Sequence, residues 1–287
     1  MISPLVHFLY FSCGAHVPYL RLSLQSLARV RGTYLGGVFI GMDPDDPISS
    51  ADRASLEKLG LPVKFGEWGK VTGYGEVTVL SELAAFRDVA ARVAEGDWIA
   101  KVDSDVLFLS DWIFHHVGQQ DRDLIGHKEQ AWGTFAYSQG GCYFLRAGFV
   151  SKLAAVGRDE VHTAADTLLH EFHDVAESKG MWKMPQCPED ALIHRLVDRH
   201  GGRIKLVRYY LPLWQVDRLA HNGRRPYLRK PSLVASIAEP VIAFGIWAHD
   251  SMLARDRYSV IHFMSCKERM SDVFKLLRLQ GPERLVP

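Results

Sequence analysis

Two aspartates separated by one small residue, Asp103 and Asp105, are the strongest sign of chemistry in the sequence. They close the run Ile99-Ala-Lys-Val-Asp103-Ser-Asp105, whose apolar start predicts a buried strand. Parallel α/β sheets bind ligands at the carboxyl ends of their strands, and residues two apart on a strand face the same way. Carboxylates this close repel each other unless a cation lies between them. The pattern fits a divalent ion that bridges to a diphosphate, although an isolated D-x-D also occurs in ordinary strand-end turns.

Two further motifs carry glycines and acids. Gly140 and Gly141 precede an apolar run, where paired glycines let the backbone approach a ligand closely, and an ordinary turn explains them equally well. Glu189 and Asp190 follow a proline at the start of a predicted helix. They are either acids that complement the helix dipole, or a general base and a carboxylate that holds an acceptor hydroxyl.

A late histidine and lysine complete the set of candidate residues. His262 lies in the short apolar run Val-Ile-His262-Phe, and Lys267 follows it. A strand-end histidine can complete a metal shell and a nearby lysine can neutralise phosphate, although a lone histidine is more often structural. The segment His170-Glu-Phe-His173 lacks the spacing of the H-E-x-x-H zinc motif, and we interpret its histidines, together with His115, His116 and His162, as surface residues.

The elements that must position these residues alternate along the first half of the chain. Apolar runs predict strands at 5–11, 37–41, 62–65 and 98–102, and helical spacing predicts helices at 20–29, 50–59 and 81–94. This alternation predicts a mainly parallel α/β sheet with helices on both faces. The second half adds predicted strands at 124–126, 141–146, 203–215 and 259–263, and predicted helices at 159–179, 189–200 and 267–279.

Composition indicates an ordinary globular protein. The chain has 287 residues, 47% of them hydrophobic, which is enough to bury a full core without disulfides. Its net charge of +1 points to no partner, and its four cysteines lack C-x-x-C spacing, so we expect buried thiols in a cytoplasmic protein. The apolar start carries no basic residue before Arg21, which does not match a signal peptide, and no run is long enough to span a membrane.

One segment departs from this charge balance. Residues 203–230 contain eight basic residues against one acid, with aromatic residues interleaved. Basic and aromatic residues together could bind an anionic acceptor, nucleic acid included, whereas the plainer interpretation is a solvated loop beside the acceptor site. With no linker or repeat in view, we expect one domain over 1–287, with a donor half at 1–110 and an acceptor half at 111–287 that ends in a metal and diphosphate segment.

The order of these motifs resembles the GT-A family of nucleotide-sugar glycosyltransferases. A D-x-D motif, a Gly-Gly strand, an E-D pair and a late histidine follow one another as they do in that family. The opening run Phe8-Leu-Tyr-Phe-Ser12, followed by a helix, and Phe86-Arg87 on the helix before D-x-D also look like it. The resemblance covers nearly the whole chain, and it implies the GT-A fold, a Rossmann-like mixed sheet flanked by helices.

The resemblance also assigns roles to residues. Asp105 becomes a direct metal ligand, His262 a further one, and Asp103 a ligand that also touches the donor ribose. Asp190 becomes the base of an inverting reaction, with Glu189 positioning the acceptor. The other donor-binding residues that it implies are Phe11, Ser12, Asp43, Arg87, Gly140, Gly141 and Lys267, the last beside the diphosphate.

The implied activity is a metal-dependent hexosyl or pentosyl transfer. The cofactor is Mn²⁺ or Mg²⁺, the donor is a nucleoside-diphosphate sugar with UDP expected, and the hydroxyl acceptor is open. A sugar nucleotidyltransferase is one alternative, but the segment Ser12-Cys-Gly-Ala-His16 after the first strand lacks its basic phosphate loop. A non-catalytic nucleotide- or sugar-binding module is the other, since a fold alone does not establish turnover.

Overall fold

The computed structural model describes residues 4–71, 73, 75–129, 136–178, 185–210, 258–263 and 267–280. The strands are β1 (Val6–Ser12), β2 (Leu35–Met42), β3 (Val63–Gly66), β4 (Trp98–Asp103), β5 (Val106–Phe108), β6 (Leu124–Glu129), β7 (Tyr137–Arg146), β8 (Ile204–Val207) and β9 (Val260–His262). The helices are α1 (Val17–Val30), α2 (Ser50–Glu57), α3 (Glu76–Ala90), α4 (Trp112–Gly118), α5 (Ala147–Val150), α6 (Arg158–Ser178), α7 (Glu189–Arg199) and α8 (Met270–Gln280). None of the helices within these ranges is long and apolar enough to cross a membrane.

Within the described residues, the main sheet has seven strands in the order β3-β2-β1-β4-β7-β6-β8. The pairs β1–β2, β1–β4, β2–β3 and β6–β8 are parallel, whereas β7 runs antiparallel to both of its neighbours. The predicted mixed, mainly parallel sheet flanked by helices is therefore confirmed. Because β7 is antiparallel to β4, the early part of β7 lies beside the carboxyl end of β4.

Helices cover both faces of this sheet. One core cluster joins the strands to α3, α6 and α7, and a second joins them to α1, α2 and α4. Strand β4 contributes to both, with Ile99 in the first cluster and Ala100 and Val102 in the second. A strand buried on both faces is a continuous apolar run rather than an alternating one, which is why 98–102 was recognisable.

A second, two-stranded sheet lies at the carboxyl end of β4. Strand β5 pairs antiparallel with β9, so that Val106 lies opposite His262 and Phe108 opposite Val260. A third core cluster packs behind it and includes Met270 and Val273 of α8. This pairing brings the end of the described chain back to the D-x-D segment, and neither β5 nor α4 was predicted.

Two features of the site's backbone differ from the sequence prediction. Strand β7 begins at Tyr137, four residues before the predicted start at Gly141, so both Gly140 and Gly141 lie inside the strand. Asp103 is the last residue of β4, whereas Asp105 lies in the turn beyond it, so the rule for residues two apart on a strand does not apply. The two carboxylates nevertheless both approach His262, across the turn that separates β4 from β5.

Two predicted boundaries also shifted. Helix α3 begins at Glu76, ahead of the predicted Ser81, because the left-handed Gly75 (φ 88°) redirects the chain into the helix. The predicted strand at 203–215 is reduced to β8, and the part of it beyond residue 210 lies outside the described residues.

Candidate active site

Three potential metal ligands meet at the carboxyl end of β4. The Nε2 atom of His262 lies 3.3 Å from Asp105 Oδ1 and 3.6 Å from Asp103 Oδ2. One ligand atom from each residue falls within 4.8 Å of the other two. Two carboxylates and one imidazole form a donor set that suits Mn²⁺ or Mg²⁺, so these residues fit the ion that the sequence implies.

The imidazole of His262 is fixed from its other side. The side-chain amide of Gln139 hydrogen-bonds with Nδ1 at 2.8 Å, and Nε2 on the other edge of the ring faces the two aspartates. A Cβ atom on Gly141 would lie only 2.5 Å from Nδ1, so the ring packs directly against the backbone of β7. The glycine thus makes room for a side chain of the protein, whereas the sequence suggested room for a ligand.

Positive charge surrounds Asp105. Lys267 Nζ lies 3.3 Å from Asp105 Oδ2, opposite the oxygen that faces His262. Burial by itself would raise the pKa of Asp105, but the hydrogen bond from His262 and the charges of His262 and Lys267 outweigh it and lower the pKa to about 2. His16, which was not predicted as a site residue, lies close to Lys267. Its burial and the positive charge of Lys267 lower the pKa of His16.

The acidic pair opens helix α7 beside the same strand end. Asp190 Oδ2 accepts the backbone N–H of Gly140 at 2.7 Å, and its Oδ1 accepts the N–H of Ala191 at 2.7 Å. Burial and the neighbouring charge of Glu189 raise the pKa of Asp190 to about 7. Burial also raises the pKa of Glu189, against the opposing charge of Lys101.

Lys101 lies between the metal-site residue Asp103 and the acidic pair, and it was not predicted from the sequence. Its Nζ donates to Asp103 Oδ1 at 2.7 Å and to the Gly140 carbonyl at 2.8 Å, and it lies 4.0 Å from Glu189 Oε1 and 3.8 Å from Glu82 Oε1. Burial would lower the pKa of Lys101, but the surrounding carboxylates raise it, so the ammonium stays charged. Burial raises the pKa of Glu82 to about 8. A lysine inside an otherwise apolar strand was the signal that could have revealed this group.

The predicted nucleotide side lies at the neighbouring strand ends. The N–H of Asp43 donates to the Ser12 carbonyl at 3.0 Å, which places the ends of β1 and β2 side by side. Ser12 is fully buried, and its hydroxyl has no hydrogen-bond partner within the described part of the chain. Phe11 lies opposite Asp103 in the sheet, and its side chain is packed into the core.

Residues of two predicted binding elements make contacts within the protein. The guanidinium of Arg87 donates to the carbonyls of Leu153 at 2.9 Å and Val156 at 2.8 Å, so it ties helix α3 to the segment after α5. In the basic segment, Arg203 pairs with Asp121 and Asp123, and Lys205 with Gln120. Residues 211–230 lie outside the described ranges, so the anionic-acceptor surface stays a prediction.

No protein family model and no curated protein sequence match this chain. Solved structures of similar fold are glycosyltransferases. The galactosyltransferase LgtC, in complex with donor and acceptor sugar analogues, superposes with a TM-score of 0.52 at 12% identity, covering 94% of this chain and 95% of that one. The bifunctional glycosyltransferase WbbM, without ligand, superposes with a TM-score of 0.50 at 8% identity, covering 96% of this chain and 50% of that one. The chain therefore has the mixed, mainly parallel α/β fold of GT-A proteins.

Proposed function

We propose that this protein is a metal-dependent glycosyltransferase, which moves a sugar from a nucleoside-diphosphate sugar, with UDP as the nucleotide, to a hydroxyl acceptor. The observation that carries the proposal is the cluster of Asp103, Asp105 and His262 at the carboxyl end of the central strand β4. In open α/β sheets this edge is where ligands bind. The similar fold of solved glycosyltransferases supports the same conclusion.

In the proposed mechanism, Asp103, Asp105 and His262 would hold Mn²⁺ or Mg²⁺, and the ion would supply Lewis-acid stabilisation of the departing diphosphate. Lys267 adds a second positive charge on the same side, because its ammonium already lies at Asp105. These groups stabilise charge that grows as the sugar–phosphate bond breaks, which is the condition for accelerating the reaction.

Asp190 is the proposed base of an inverting reaction. A general base works best when its pKa lies near the working pH, and burial together with Glu189 raises the pKa of Asp190 to about 7. The N–H groups of Gly140 and Ala191 each occupy one lone pair of its two oxygens, which fixes the carboxylate and leaves further lone pairs for the acceptor hydroxyl. Glu189 lies at the same helix start, where it is proposed to hold the acceptor.

The loop after β1 argues against the nucleotidyltransferase alternative. A phosphate loop of that class needs free backbone N–H groups and positive charge. Here Gly14 N donates to the Asp46 carbonyl at 2.7 Å, and Ala15 N donates to the Asp46 carboxylate at 2.8 Å. The backbone carbonyl and the carboxylate of Asp46 therefore occupy two of the N–H donors that a phosphate would need.

A thermal-shift measurement tests the proposal. A ligand that binds the folded protein raises its melting temperature, so UDP and UDP-sugars are expected to stabilise the wild type with Mn²⁺ present and not with EDTA. Asp105→Asn is expected to remove the metal dependence, while keeping the size and shape of the side chain. Stabilisation by UDP that is indifferent to EDTA and to Asp105→Asn would instead identify a metal-free binding module.

A further inference from the structure

Lys101 is a full charge placed in the core of the protein. Its side chain is 2% exposed, and Ala100 and Val102 beside it on β4 are buried core residues. Moving an ammonium out of water is costly, and apolar residues of similar volume can often replace a buried ion pair without loss of stability. Fold stability therefore gives no sufficient reason for a lysine at this position, and its contacts have to supply one.

Those contacts connect the proposed metal ligand Asp103 with the acidic pair Glu189 and Asp190. Lys101 Nζ donates to Asp103 Oδ1 at 2.7 Å and to the Gly140 carbonyl at 2.8 Å. The N–H of the same Gly140 donates to Asp190 Oδ2 at 2.7 Å. A continuous line of hydrogen bonds thus runs from the metal-site aspartate, through the ammonium and the backbone of β7, to the acidic pair. Glu189 Oε1 lies 4.0 Å from the same ammonium.

We propose that Lys101 is a positioning residue, which holds Oδ1 of Asp103 so that Oδ2 faces the metal site, and which sets the separation between Asp103 and the Glu189–Asp190 pair. The proposal rests on the proposed metal-dependent function. Lys101 does not itself contact the reacting groups, because its ammonium is enclosed by the protein. It acts through Asp103 on one side and through Gly140 on the other.

The direction in which Mn²⁺ affinity changes when Lys101 is removed distinguishes a positioning role from a purely electrostatic one. If Lys101 served only as a positive charge beside Asp103, its removal would leave the site more negative, and Mn²⁺ would bind more tightly. If Lys101 orients Asp103, its removal frees the carboxylate to rotate, and Mn²⁺ binds more weakly. The loss of a group that orients a metal ligand typically weakens metal binding about 10–100-fold.

The experiment is a titration of the full chain with Mn²⁺, in which electron paramagnetic resonance measures the free ion. Lys101→Met, which keeps the length of the side chain without its charge, is expected to weaken Mn²⁺ binding about 10–100-fold relative to the wild type. Binding that is unchanged or tighter in Lys101→Met overturns the proposal.

A second variant guards against a folding defect. Lys101→Met alone leaves Glu82 as a buried carboxyl with no cation to pair with when it ionises, so the double variant Lys101→Met/Glu82→Gln removes both ionisable groups together. We expect the double variant to recover a melting temperature close to that of the wild type while its Mn²⁺ binding stays weak. Glu82→Gln alone is the matched control and is expected to bind Mn²⁺ like the wild type. Wild-type affinity in the double variant would refute the positioning role.

Asp105→Asn distinguishes this inference from the proposed function beneath it. If Asp105→Asn leaves Mn²⁺ binding unaltered, the metal site itself is wrong, and the role of Lys101 fails with it. If Asp105→Asn abolishes binding while Lys101→Met binds as the wild type does, the metal site stands and only the role of Lys101 is refuted.

Discussion

Replacing Gly141 by alanine tests the geometry of the candidate metal site most directly. The added Cβ would lie 2.5 Å from His262 Nδ1 and 2.7 Å from its Cε1, whereas ordinary contacts begin at 3.4 Å. The imidazole must therefore retreat by about 0.9 Å, or the strand must yield by the same amount. Either movement also disturbs the hydrogen bond from Gln139, now 2.8 Å long, that orients the ring.

The expected result is a loss of metal affinity with the fold retained. Disturbing a group that orients a metal ligand typically lowers metal affinity about 10–100-fold, which corresponds to about 1.4–2.8 kcal/mol of binding free energy. Titration with Mn²⁺ measures this loss, and circular dichroism checks the secondary structure.

Gly96→Ala is the matched control, because nothing lies within 4 Å of its added Cβ and its backbone is not in the left-handed region. The control is expected to bind Mn²⁺ as the wild type does. If Gly141→Ala also binds within about threefold of the wild type, well short of the expected loss, then His262 is not a ligand and the reasoning from this contact is refuted.

Three other predictions concern protons and backbone contacts. The transfer rate is expected to rise with pH through about 7 as Asp190 loses its proton, and a profile without this limb would exclude it as the base. Glu82 has a pKa of about 8 in the fold against an ordinary 4.5, so between these values the folded state binds more protons and stability falls as pH rises. The melting temperature of Glu82→Gln should therefore gain on that of the wild type from about pH 5 to about pH 8, and a constant difference contradicts this. Arg87→Leu removes two hydrogen bonds to carbonyls and is expected to lower the free energy of unfolding by about 1–3 kcal/mol, with UDP affinity unchanged. A loss of UDP affinity would instead return Arg87 to the donor site.

The sequence predicted the main sheet well because its strands are buried runs with helices between them. The run at 98–102 became β4, and the run at 5–11 became β1, each with a boundary shift of one residue. The pairing of β5 with β9 was not predictable in this way. Val106–Phe108 is too short to carry a periodic signal, and its partner lies more than 150 residues away.

The site residues at strand ends could be predicted from the sequence, whereas those inside the strands could not. Asp103, Asp105 and His262 follow apolar runs, so their positions at strand ends could be inferred, and the structure brings them together. Lys101 sits inside such a run, where the pattern predicts core rather than charge. Gln139 carries no pattern of its own, since only the three-dimensional contact with His262 reveals what its amide does.

The pairing of β5 with β9 has a consequence for how the protein is made. Val106 cannot pair with His262 until the ribosome has added the more than 150 residues that separate them in the sequence. Until then a nascent chain presents two carboxylates without their imidazole, and contacts this distant in sequence form slowly. If these residues bind a metal ion as proposed, a nascent chain cannot hold the ion with all three ligands before His262 has been synthesised and β9 has paired with β5.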